Sequence, residues 1–279
     1  MELLASICTI IALAYTLLVG QRTLPELVSN EGRRRKRYFK YTEKIRAFWS
    51  FGKQSTLDLV CSSIPNEDTP DFANPSHRNY LRYAKFADLD TLILLHTSLA
   101  RLFPGLIIRD FTSEEHLGHD SENVIIIGGP PWNDKSRNLQ AYLPYSFIEK
   151  PLGEDDPLVV HQLPNHIFCP KWSKAGNLFS DISLIARLRY GDSRSIFILA
   201  GCLTTGVLGA AKSILTGTEA FANIDFITHK VGDADFVLVF ETRRHAGMIS
   251  SHSFATRPPL VLMKKTKSEY ELIQGHLEK

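Results

Sequence analysis

The chain has 279 residues, 44% hydrophobic and 22% charged, a composition that excludes wholesale disorder and leaves room for one large domain plus an appendage. Its formal net charge of +2 is unevenly spread: residues 1–52 hold nine Lys/Arg against four acids, and residues 53–279 hold 23 bases against 26 acids. The longer part is therefore slightly acidic, which excludes a generally basic domain and speaks against nucleic acid as its partner. Cys8, Cys61, Cys169 and Cys202 are scattered with no CxxC pair, so no disulfide framework is expected and a reducing compartment is.

Leu3 to Val19 is an apolar run of 17 residues, at the lower limit for a membrane-spanning helix. Glu2 precedes it, and Arg33-Arg34-Arg35-Lys36-Arg37 comes after it. A secretory signal would carry its positive charge before the run, so residues 1–22 read as an anchor whose basic flank stays cytoplasmic together with the rest of the chain. Residues 23–52 read as a juxtamembrane linker ending in a short amphipathic helix over Tyr38 to Gly52. The expected protein is a single-pass protein of the cell membrane with a cytoplasmic domain over residues 53–279.

Within that domain Leu57–Cys61 predicts a buried strand ending in Ser62-Ser63-Ile64-Pro65-Asn66. Lys85–Phe103 predicts a helix, with Leu92, Leu95, Leu99 and Leu102 on one stripe, closed by Pro104-Gly105. A short strand over Leu106–Arg109 comes next. His116 and His119 fall in a polar stretch and read as loop residues rather than metal ligands. Val124–Ile127 predicts a strand running into Gly128-Gly129-Pro130-Pro131-Trp132-Asn133. Residues 138–172 are rich in aromatics and suggest a small β insertion. Ile182–Tyr190 alternates like a strand, with Arg187 and Arg189 on its polar face. Ile196–Ala200 predicts a strand buried on both faces, Gly201–Gly206 a turn, and Val207–Leu215 a helix. Ile224–Thr228 and Phe236–Glu241 read as two last strands.

Three loops, Ser62–Asn66, Gly128–Asn133 and Gly201–Gly206, each come directly after a buried strand. In a parallel sheet they converge at one edge, where open α/β sheets bind ligands. Thr204, Thr205 and Gly206 open a helix, whose free N–H groups and positive end suit a phosphate or carboxylate. Gly128, Gly129 and Asn133 form the expected facing wall, and Ser62, Ser63 and Asn66 a third side. Cys202, at the same helix start, is the one thiol placed to act as a nucleophile, with close packing of a small residue as its plainer reading. Glu241, at a strand end, reads either as an acid/base group or as a solvated residue. GCLTTG has GxxxxG spacing without the Lys-Ser/Thr that a P-loop needs next, so it is not a P-loop, and no HExxH or GxSxG occurs.

The order strand–SSIPN, strand–GGPPWN, strand–GCLTTG–helix resembles the broad Rossmann-like class that includes TIR-like and other nucleotide-sensing domains. In some bacterial signalling and defence proteins such domains are joined to a transmembrane helix. The resemblance implies a Rossmann-like, three-layer, mostly parallel sheet and a small anionic, nucleotide-derived ligand. A hydrolase or glycosidase acting on a nucleotide or NAD-like substrate is the alternative. No cofactor or metal site is assigned, and the sequence leaves a homo-oligomer open.

Overall fold

The computed structural model describes residues 41–51, 55–116, 121–151, 154–190, 194–215, 217–245, 248–250 and 252–275. The predicted anchor, the basic run and His119 lie outside the described residues. The chain divides into two compact units, Met1–Lys44 and Ile45–Lys279, and the second carries the sheet. No helix among the described residues is long and apolar enough to cross a membrane.

Residues 41–49 are helical (α1), and Phe48 and Trp49 bury their rings beside Phe197. Strand β1 (Thr56–Cys61) turns Leu57, Leu59 and Cys61 towards helix α2 (Leu89–Leu102), which answers with Leu92, Leu95 and Leu99 at helical spacing. Helix α2 starts four residues later than the stripe predicts because Arg82–Lys85 form a separate 3₁₀ turn. It leads to β2 (Ile107–Thr112), parallel to β1. Strand β3 (Asn123–Ile127) pairs in parallel with the other side of β1 and runs on to a short helix, α3 (Asp134–Gln140).

The aromatic region forms a separate antiparallel sheet of β4 (Tyr145–Phe147), β5 (Leu158–Val160) and β6 (Ile167–Phe168). Then come β7 (Lys171–Trp172), the long β8 (Leu178–Tyr190) and β9 (Arg194–Gly201). Helices α4 (Thr204–Leu215) and α5 (Gly217–Val231) precede β10 (Phe236–His245), β11 (Met248–Ser250), β12 (Val261–Thr266) and β13 (Glu269–Gly275).

The main sheet runs β13-β12-β10-β8-β9-β3-β1-β2, with β7 and β11 added to β8 and β10. The fold is mixed α/β. Parallel pairing is confined to β2, β1, β3 and β9, whereas β8, β10, β12 and β13 pair antiparallel. The expectation of a mostly parallel sheet therefore describes one half only. Three residues separate β8 from β9, a link that permits a hairpin and is far too short for a parallel crossover.

One face of the sheet carries α2, α4, α5 and the aromatic end of α1 in a single apolar cluster. The small sheet β4–β6 covers the opposite face, with Tyr145, Phe147, Leu158, Val160 and Phe168 against Ile182, Leu184, Ile198 and Val239. The stretch predicted as a strand at Ile224–Thr228 is the middle of α5. Its buried residues Ala220, Ile224, Ile227 and Val231 recur at helical spacing, a period that the five-residue window was too short to show. Arg187, expected on an exposed face, is buried: its guanidinium lies 5.0 Å over the Phe236 ring and donates to the carbonyls of Gly232 and Ala234. Desolvation brings it down to about 10.

Candidate functional site

The carboxyl ends of β1, β3 and β9 lie side by side, so the three predicted loops do meet at one edge of the sheet. The chain leaves β1 for β2 on one side and returns as β3 on the other, which makes the gap between β1 and β3 a topological switch point.

Several residues there serve the fold. Asn133 is fully buried; its amide donates to the carbonyls of Val60 (3.1 Å) and Ile127 (3.0 Å), and its Oδ1 accepts from the N–H groups of Lys135 and Ser136. All four hydrogen-bonding positions are used, so Asn133 clamps β1 to β3 and caps α3. Gly206 and Gly201 are packing glycines. A Cβ on Gly206 would lie 2.1 Å from the Ile182 carbonyl oxygen, and one on Gly201 would lie 2.7 Å from Gly206. Gly209 is likewise pressed on Thr242 of β10.

The start of α4 is capped from inside the protein. Asp181 of β8 accepts from the N–H groups of Leu203 (3.2 Å), Gly206 (2.5 Å) and Ile182 (2.7 Å). Burial pushes its carboxyl up to about 7, against the pull of these donors. The N–H groups of Thr204 and Thr205 find no partner among the described residues, and the Thr204 side chain is exposed. Half of the expected anion-binding turn thus faces outward, and the other half is filled by Asp181.

The switch point itself holds a feature centred on Asp88, at the start of α2. Asp88 is 6% exposed. Ser62 is the hydroxyl facing the carboxyl, and its one proton is shared with the Ile127 carbonyl, to which Ser62 Oγ donates at 3.1 Å. The other oxygen, Oδ1, has no hydrogen-bond partner. Desolvation raises the carboxyl to about 6. Gly128 makes room for the pair: at φ +104° a Cβ would come within 1.8 Å of Ser62 Oγ and 2.6 Å of Asp88 Oδ2. Gly129 differs. Its φ is −83°, a Cβ would meet nothing closer than 3.5 Å, and its N–H has no partner among the described residues. Neither backbone conformation nor packing requires glycine at 129.

The remaining predicted residues fall nearby or elsewhere. Ser63 Oγ contacts Ser113 Oγ at 3.4 Å, and Asn66 lines an open cavity of about 700 Å³ within the 66–85 loop, together with His77 and Lys85. Cys202 is turned into the opposite apolar cluster, its Sγ 3.6 Å from the Phe168 carbonyl, and burial pushes its thiol well up. A neutral, enclosed thiol fits the plainer reading of Cys202 as a packing group. Glu241 is buried at the centre of an ion-pair cluster on the face opposite α4. His116, expected on a solvated loop, is buried with Nε2 2.9 Å from Asp58, which also holds Arg109 and Ser121. Among the described residues no group of three or more His, Cys, Asp or Glu is placed to hold a metal.

Sequence reasoning missed Asp88 and Asp181. Asp88 carried a signal, an acidic residue immediately before an apolar helical stripe, but that pattern ordinarily marks an N-cap, and this side chain caps nothing. Asp181 sits in a β-alternating stretch and carries no local signal.

The unit Ile45–Lys279 is thus a mixed α/β domain with a buried carboxyl, Asp88, at the topological switch point of its sheet. No family model matches the chain, and no curated protein is similar to it.

Proposed function

We propose that the crevice between β1, β3 and the start of α4 binds a small anionic, nucleotide-derived ligand, in a cytoplasmic domain that Leu3–Val19 tethers to the membrane. The observation that carries this reading is the partnerless Asp88 Oδ1. A buried carboxylate oxygen without a donor costs free energy, and a ligand hydroxyl of the ribose type is the donor that would satisfy it. The N–H groups of Gly129, Thr204 and Thr205 and the two threonine hydroxyls suit the anionic end. Gly129 is spare as far as the fold is concerned, and a bare backbone there admits a close-lying phosphate. The Rossmann-like arrangement of the parallel half supports the same assignment, and the tether suits a sensor that reports to the membrane.

Thermal-shift screening of the full chain in detergent, with mono- and dinucleotides and NAD-like compounds, tests this. A stabilising compound is expected, its shift lost in Gly129→Val and reduced in Thr204→Val. If both variants keep the full shift, the site is misplaced.

One observation favours the enzyme reading as a second choice. A carboxyl raised to about 6 exchanges protons near neutrality, as a general acid or base must. Asp88, rather than Cys202 or Glu241, would then serve a hydrolase or glycosidase. Recovery of the stabilising compound unchanged supports the sensor, and its consumption supports the enzyme.

A further inference from the structure

Away from the crevice, β7, β8, β10 and β11 form a ribbon at the carboxyl edge, and its charges are sorted by burial. Of its acids, Asp181 is turned inward to cap α4 and Glu241 is 6% exposed. At this edge Lys171, Lys174, Arg243 and Arg244 are all exposed, the half-buried Arg257 reaches in from the segment before β12, and the buried Arg187 lies further along β8, away from the edge.

Glu241 accepts from Ser180 Oγ (2.6 Å) and is ringed by Arg257, by Lys171 at 3.4 Å and by Arg243 at 3.7 Å. One cation would neutralise one buried carboxylate. Arg243 and Arg257 together exceed it by about one positive charge, on a unit that is slightly acidic overall.

Two aromatic rings flank this surplus, each half exposed. Phe179 lies under the Arg243 guanidinium at 5.5 Å, and Trp172 donates its Nε1–H to Asp155 at 2.7 Å. Asp155 bounds the patch on the Trp172 side, so the electropositive part runs through Phe179, Arg243 and Arg257.

We propose that this ribbon is a docking surface for single-stranded nucleic acid, with Arg243 and Arg257 on successive phosphates and the Phe179 ring, extended by Arg243, stacked on a base. Alternation of exposed rings and cations suits an unpaired strand, whose bases offer their faces while its phosphates stay accessible. A duplex offers phosphates alone. The slightly acidic average of the unit is no obstacle, because binding depends on the field within about one Debye length, roughly 8 Å at physiological salt.

The test is fluorescence anisotropy of a labelled 15-nucleotide oligo(dT) against the full chain in detergent. Residues Arg33–Arg37 are changed to glutamine throughout, to silence that basic run. Binding is expected at 50 mM salt, with affinity falling as salt rises by roughly 0.7 log units per log unit for each phosphate contacted. Arg243→Gln and Phe179→Ala, both at exposed positions, should each weaken it at least fivefold at unchanged melting temperature, and the matching duplex should bind at least tenfold more weakly. Equal affinity of the parent and both variants overturns the proposal. So does equal or tighter binding of the duplex, or of vesicles of anionic lipid with no binding of the oligonucleotide.

Discussion

Gly206→Ala is expected to destabilise the domain by about 3 kcal/mol or more, seen as a fall in melting temperature of roughly 6–12 °C. The added methyl would lie 2.1 Å from the backbone oxygen of Ile182 and 2.9 Å from Asp181 Oδ2. The Ile182 oxygen is backbone and cannot swing aside, so relief requires α4 to lift off β8. That shift would also stretch the bonds from Leu203 and Gly206 to Asp181 and from Ser183 Oγ to the Gly206 carbonyl (2.7 Å). Gly129→Ala is the control. Its Cβ falls at ordinary contact distance, so its melting temperature should lie within about 1 °C of the parent. Equal losses at 129 and 206, measured by differential scanning calorimetry, would show that close packing does not distinguish the two glycines.

Asp88→Asn should act in the opposite direction. The folded-state carboxyl titrates at about 6, against 3.8 when solvated. Between these values the folded chain holds a proton that the unfolded chain has released, so stability falls as pH rises through this window and stays lowered above it. An amide carries no such penalty. The variant is expected to be more stable than the parent at pH 8 by about 3 kcal/mol, or roughly 6–12 °C, with the difference vanishing near pH 4. Asp181, raised to about 7, leaves both proteins a residual decline towards alkaline pH. The variant should also lose the stabilising effect of any hydroxyl-bearing ligand. An Asp88→Asn protein less stable than the parent at pH 8 would mean that the fold itself needs the carboxylate, and the crevice would lose its central argument. A group kept at a cost to stability is what a binding or reacting site looks like from the side of the fold.

Much of this fold could be read from local pattern, and the part that could not has a common cause. The strands around Leu57–Cys61, Val124–Ile127 and Ile196–Ala200 are short apolar runs bounded by Ser, Gly and Pro. Helix α2 shows its stripe over four turns, and the three loops come after their strands as expected. What failed were readings that depend on a partner distant in sequence. Whether β8 and β10 pair with each other, whether Arg187 points to water or to Phe236, and whether His116 meets Asp58 are settled by contacts across roughly 45 to 60 residues. Residues 224–228 failed for a different reason, because a five-residue window of α5 looks the same in either period. At the site, the glycines and threonines were legible as a turn. The two carboxyls that decide what the turn can bind were not, since their burial comes from the assembled sheet.

The internal cap on α4 has a consequence for how the domain comes apart. Asp181 belongs to the antiparallel half of the sheet, while the helix it holds packs beside the parallel half and touches α2. Ser183 and Thr242 tie the same helix to β8 and β10 from beneath. Releasing the antiparallel strands would leave the α4 amides bare and the Asp181 carboxyl without its donors, so neither half can melt while the other stays native. The two differently built halves form one cooperative unit, and the start of α4 sits on the joint between them.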